Sequence, residues 1–217
     1  MNALPSSSPG SLLGATVYIV EDDAGVRASL ELLLRLRGFA CVGFDSAESL
    51  LEAGALSRPA CAVLDVRLPG IDGLELARRL RAREAPLPVV VVTAHGDVST
   101  ARTALREGAV DFLEKPVDET ALLDAVLGAL ESDRRKVTQA REFAEVRRRL
   151  ERLTPREREV FDLVTDGHHN REVAETLGIS PRTVEVHRAR IMEKLAAQRV
   201  GELFRVRFLL DAPDAEY

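Results

Sequence analysis

The chain has 217 residues, enough for one large or two small domains with cores of their own. Aromatic residues are scarce and Trp is absent, so those cores must be built from Leu, Val and Ala. Residues 1–130 carry 12 basic and 18 acidic side chains, residues 131–150 seven and four, and residues 151–217 eleven and thirteen, so no segment is basic enough for charge alone to argue for nucleic acid. Cys41 and Cys61 lie in apolar runs and read as buried free thiols, with no metal-ligand Cys/His spacing around them. No apolar run approaches the roughly 20 residues that span a bilayer. No basic segment followed by an apolar run marks a secretory leader. A soluble, cytoplasmic protein with no membrane partner is expected.

Residues 1–14, rich in Ser and Pro, are expected to be a flexible lead-in. From Thr16 onward, short apolar runs alternate with helix-period segments. Strands are expected at 16–20, 40–44, up to Leu64, at 88–92 and at 110–113. Helices are expected at 24–37 (stopped by Gly38), from Ser46 to about Ala53, at 73–83, from Asp97 or Val98 to Glu107, and from Asp118 past Leu130. Five β–α repeats with near-continuous apolar strands predict an α/β doubly wound parallel sheet of five strands over residues 15–131. Residues 132–152 have sparse apolar positions and suit an exposed helical linker. Beyond Leu153 every pattern is helical: 154–165, from Asn170 or Arg171 to Leu177, from Ser180 to about Leu195, and 201–210. An all-α four-helix domain is expected over 153–210, followed by an acidic tail at 211–217.

Polar residues close the strands of the sheet. Glu21, Asp22 and Asp23 follow the first, Asp65 the third, Thr93 ends the fourth and Lys115 follows the fifth. Ligands of doubly wound sheets sit beyond the carboxyl ends of the strands, so these groups are expected to converge. Three carboxylates repel one another unless a hard cation relieves them, and Mg²⁺ prefers oxygen ligands. A hydroxyl and an ammonium beside a metal-bound carboxylate suit a phosphoryl site, and carboxylates can take a phosphoryl group as nucleophiles. Taken alone, an Asp-Asp pair after a strand reads more readily as a solvated turn or a helix cap.

This set resembles the receiver domain of two-component response regulators. The resemblance implies Asp65 as phosphoacceptor, with Mg²⁺ held by Asp22, Asp23, Asp65 and the backbone carbonyl of Val66. It makes Thr93 the switch hydroxyl, Lys115 the phosphoryl-binding lysine and Pro116 the partner of a cis bond that aims that lysine inward. Phe112 falls at the position of the aromatic switch residue, although a buried strand aromatic explains it as well. A sensor histidine kinase would supply the phosphoryl group. Dimerisation would follow through the fourth-helix face, where Arg102 and Arg106 are candidates. No catalytic residue in the enzyme's sense is implied. The rival phosphohydrolase reading needs a second Asp two residues after Asp65, where Arg67 stands. A second rival is a constitutive DNA-binding module whose receiver serves only for dimerisation.

Leu177-Gly178-Ile179-Ser180 joins two amphipathic segments as a helix-turn-helix would. Leu153 to Val160, Asn170, and Ala174 to His187 resemble the LuxR-type DNA-binding domain, and the whole chain resembles a FixJ-type member of the NarL/FixJ response regulators. That implies double-stranded DNA as partner. Glu185, Val186, Ala189 and Arg190 would lie where base contacts are made, and Asn170, Arg171, Thr183 and Arg188 would favour the backbone phosphates, while on a helical wheel Arg182 falls on the same outward face. Arg171 stands where the family often has lysine, which keeps the charge. With few side chains suited to bidentate base contacts, readout would lean on methyl groups, a cytosine amino group met by Glu185, and DNA shape. The apolar last helix would form dimers, and RNA polymerase is a further expected partner. His168-His169 reads as a polar loop rather than a metal site.

Overall fold

The computed structural model describes residues 14–83, 85–94 and 98–211. The expected lead-in up to Leu13, Asp97 as a helix start and the tail beyond Asp211 lie outside them. The chain divides into two compact units between Val137 and Thr138.

In the first unit, β1 (Thr16–Val20), β2 (Ala40–Phe44), β3 (Ala60–Asp65), β4 (Val89–Thr93) and β5 (Asp111–Glu114) form one parallel sheet in the order β2-β1-β3-β4-β5. Alternation along each strand sends side chains to two cores. Val17, Ile19, Val63, Val90 and Val92 pack under α1 (Ala24–Leu36) and the start of α5 (Glu119–Leu150). Tyr18, Val20, Leu64, Val89 and Val91 pack under α2 (Ala47–Glu52), α3 (Gly73–Arg81) and α4 (Val98–Arg106). Each fully buried aliphatic side chain stabilises by about 1.5–3 kcal/mol, which is how a core poor in aromatics holds. The central strands β1, β3 and β4 are buried throughout, as a sheet covered on both faces requires.

The stretch expected as an exposed helical linker lies in α5, which spans 32 residues. No described helix is long and apolar enough to cross a membrane. At the base of the sheet the buried Asp133 of α5 accepts hydrogen bonds from Arg58 Nε at 2.7 Å and Ala60 N at 2.8 Å. Arg58 also donates to the carbonyls of Ala85 and Pro86, both at 3.0 Å.

The second unit packs α6 (Pro155–Thr165), α7 (Asn170–Leu177), α8 (Pro181–Leu195) and α9 (Val200–Asp211) with the end of α5. Phe161, Val173, Val184, Ile191 and Leu203 are fully buried at its centre. Local signals explain the boundaries. Thr154 and Glu157 form a capping box with Pro155 in the first turn of α6. Gly178 takes the left-handed conformation (φ +64°) that ends α7, and Ser180 then caps α8.

Candidate functional site

Register alone brings the polar strand ends of the first unit together. Val20 lies opposite Leu64, Asp65 opposite Val92, and Thr93 opposite Glu114. Glu21, Asp65, Thr93 and Lys115 therefore fall within one residue of a common line across β1, β3, β4 and β5. The order of connections reverses at β1 and β3, where an open sheet leaves its crevice.

Lys115 Nζ lies 2.6 Å from Asp65 Oδ2 and 2.6 Å from Glu21 Oε2. Burial works against its charge, but hydrogen bonds and charge from Asp65 and Glu21 outweigh that and hold its pKa above the usual lysine value. Burial pushes the Glu21 carboxyl up, against the pull of Lys115. Glu21, Asp22 and Asp65 each offer an oxygen within 4.8 Å of the others. Three carboxylates and no nitrogen or sulfur donor fit a hard divalent cation, and one ammonium shared by two of them leaves negative charge for it to balance. The Lys115–Pro116 bond is cis. Thr93 is buried at the end of β4, and its carbonyl accepts the Lys115 N–H at 2.8 Å. Phe112 is half-buried on β5 and packs against the core under α2, α3 and α4. Arg102 and Arg106 are exposed on α4, with the exposed apolar Leu105 and Val110 close by in sequence.

The expected metal set changes by one carboxylate. Asp23 is the N-cap of α1 and accepts from Gly25 N at 2.8 Å and Val26 N at 2.9 Å. Those bonds depress its pKa and commit its charge to the helix. Glu21 joins Asp22 and Asp65 in its place. The Val66 carbonyl, the expected backbone ligand, accepts the Gly73 N–H at 2.9 Å, so one of its lone pairs is taken.

Three supporting residues escaped the sequence reading. Arg27 Nη1 donates to the Glu21 carbonyl at 2.6 Å and holds the β1–α1 turn. A Cβ on Gly73 would stand 2.0 Å from the Asp65 carbonyl oxygen, so α3 can approach β3 only with glycine there. Glu48 of α2 accepts the Ile71 N–H at 3.0 Å, in the loop after Asp65. These two bonds and the one close approach depend on residues brought together by the fold, and no local pattern announces them.

In the second unit, Arg182, Glu185, Val186, Ala189 and Arg190 are exposed along α8. Arg171 is exposed at the start of α7. Arg188 is hydrogen-bonded to the Asn170 side chain, so these two residues form one polar group between α7 and α8. The Thr183 hydroxyl lies 2.8 Å from that of Ser180, within the helix cap. Glu157, almost fully buried, accepts from Lys194 Nζ at 2.6 Å, Thr154 N at 2.8 Å and the Thr154 hydroxyl at 3.0 Å. Burial opposes its charge, yet these donors draw its pKa down to about 2. The bond to Lys194 ties the far end of α8 to the start of α6.

Comparison with known proteins places both units. A family model described as the response regulator receiver domain matches residues 17–127, and one described as bacterial regulatory proteins of the luxR family matches residues 151–206. The transcriptional regulatory protein FixJ of Azorhizobium caulinodans is 43% identical over 200 residues, covering 92% of this chain and 95% of that protein. The low-resolution structure of the response regulator StyR is 38% identical with a TM-score of 0.81, covering 89% of this chain and 98% of that one. Full-length FixJ from B. japonicum is 38% identical with a TM-score of 0.55, covering 90% and 97%.

Proposed function

The chain belongs to the two-component response regulators that join a receiver domain to a luxR-family DNA-binding domain, as FixJ does, and from that premise we propose that phosphorylation of Asp65 is its switch. Such a regulator answers to a histidine kinase and controls transcription. We take 15–131 as the functional receiver, 132–152 as the link and 153–210 as the DNA-binding domain. The protein would act in the cytoplasm, where kinase and DNA are both reached.

The observation that carries the reading is Lys115 held between Asp65 and Glu21, with Asp22 adjacent. A lone pair on Asp65 Oδ2 attacks the phosphorus of the kinase's phosphohistidine, the new O–P bond forms and the P–N bond breaks, leaving the imidazole. Glu21, Asp22 and Asp65 would hold Mg²⁺, which when bound neutralises charge on the phosphoryl oxygens. The Lys115 ammonium, freed from Asp65 Oδ2, pairs with one phosphoryl oxygen. The Thr93 hydroxyl donates to another, and Phe112 follows it inward. The change on α4 and β5 favours a homodimer through the face bearing Arg102 and Arg106. Paired α8 helices then enter successive major grooves, with Arg182, Glu185, Val186, Ala189 and Arg190 at base edges. Asn170, Arg171, Thr183 and Arg188 position the domain on phosphates. RNA polymerase is the partner we expect at the promoter.

Light scattering tests this with Mg²⁺, with and without beryllofluoride as a phosphoryl mimic, on wild type and Asp65→Asn. A monomer-to-dimer shift in wild type alone is expected. A shift that survives Asp65→Asn would refute the assignment.

A further inference from the structure

The loop from Arg67 to Asp72 links the phosphoacceptor strand to α3. Its near end bonds to Asp65 itself, Arg67 N–H donating to Oδ1 at 3.1 Å. Its far end is tied through Gly73 N–H to the Val66 carbonyl at 2.9 Å. The middle is held from outside, where Ile71 N–H donates to Glu48 Oε1 at 3.0 Å. The next residue back, Gly70, has φ +77°, and a Cβ built on it would lie 2.5 Å from the same Glu48 oxygen. The Glu48 carboxylate thus lies against the loop at two consecutive residues. Its own place is firm. It is the second residue of α2, a helix anchored by the fully buried Ala47 and Leu50 and capped by Ser46. A carboxylate in a first helical turn is favoured by the helix dipole.

We propose that Glu48 is a positioning residue for phosphoryl transfer to Asp65. It holds the Arg67–Asp72 loop so that Arg67 N–H stays on Asp65 Oδ1 and Oδ2 is presented for attack. Without the acceptor, Ile71 N–H loses its partner and the loop that orients the nucleophile is fixed only at its ends. The inference rests on Asp65 being the phosphoacceptor. With acetyl phosphate as donor, Asp65 Oδ2 forms the bond to phosphorus, and the bond from phosphorus to the acetyl oxygen breaks. Acetate leaves with that electron pair, and no proton need move.

The experiment measures initial rates of acyl-phosphate formation in the full-length protein with acetyl phosphate across a Mg²⁺ titration, below the melting temperature of every variant. Glu48→Ala should slow phosphorylation by about tenfold to a hundredfold, the scale expected of a misplaced reacting group. The slowing should persist at saturating Mg²⁺, because it arises in the placing of Asp65 and not in occupancy of the cation site. Glu48→Gln keeps an oxygen acceptor and should stay within about threefold of wild type. Glu48→Asp, which keeps the charge but shortens the reach, should fall between them, and it decides the matter together with Gln if the alanine variant does not fold. Gly70→Ala should cost less in Glu48→Ala than in wild type, because the carboxylate its methyl strikes is gone. Wild-type rates in Glu48→Ala, or equal slowing by Ala and Gln, would overturn the role of Glu48. An unlabelled wild type, or labelling that persists in Asp65→Asn, would instead overturn the reading of Asp65.

Discussion

The two units spend buried carboxylates in opposite ways. In the helical unit, Glu157 has three donors to itself, and Lys194 gives it a full counter-charge. Asp133 of the sheet unit is closed in the same manner by Arg58 and the Ala60 N–H. At the strand ends, among the described residues, one ammonium serves both Asp65 and Glu21, with the exposed Asp22 adding a third negative group. A carboxylate with all its donors supplied is a structural joint. A cluster whose members share a single cation has capacity left for a ligand. Burial alone does not separate the two, since Glu157, Glu21 and Asp65 are all buried.

Removing a counter-charge should be worst where the pair is closed. Lys194→Met strands the buried Glu157 charge and should destabilise the helical unit by about 3–5 kcal/mol in urea unfolding, with DNA binding lost alongside. A loss below about 1 kcal/mol, the value of a surface pair, would break the comparison.

Crowding the open site should cost somewhat less in stability and more in chemistry. Gly73→Ala drives a Cβ against the Asp65 carbonyl. It should destabilise the receiver by about 1–3 kcal/mol, the scale of overpacking, while phosphorylation from acetyl phosphate falls to background. A variant that is phosphorylated at the wild-type rate would show that the strand end tolerates displacement.

Acid sharpens the contrast without any change of shape. The Glu157 pKa is lowered from 4.5 to about 2 on folding, so the unfolded chain binds its proton first as pH falls. Its contribution is present above about pH 4.5 and is lost progressively toward pH 2. Glu157→Gln should flatten that part of the stability profile of the helical unit, measured by thermal melts across pH. An unchanged slope would mean that Glu157 is not the group responsible.

The smallest effect has the opposite sign. Asp22→Asn removes repulsion from the shared cluster and should raise the melting temperature of the metal-free protein slightly, while Mg²⁺-dependent phosphorylation weakens. A fall in melting temperature would mean that the cluster is already balanced.

Much of this is legible in the sequence. Apolar runs of strand length, bounded by Gly and Pro, placed the five strands, and Asp65, Thr93 and Lys115 stood at their ends. Thr154 with Glu157, Ser180 with Pro181, and Gly178 announced the helices around the turn. What stayed hidden was how neighbouring acids divide their work. Glu21, Asp22 and Asp23 are equivalent in sequence, but the first turn of α1 needs a cap, and Asp23 is the one whose oxygen reaches Gly25 and Val26. Arg188 and Asn170 looked like two independent phosphate donors until folding paired them.

The sequence by itself thus determined the elements, their order and the chemical types at the strand ends, because period, caps and turns act over a few residues. Only the tertiary structure decided which carboxylates face one another, that α2 reaches the loop after Asp65 through Glu48, and that Lys194 points at Glu157. Those choices depend on side-chain reach between elements far apart in the chain, where distance and burial decide and local pattern carries no information.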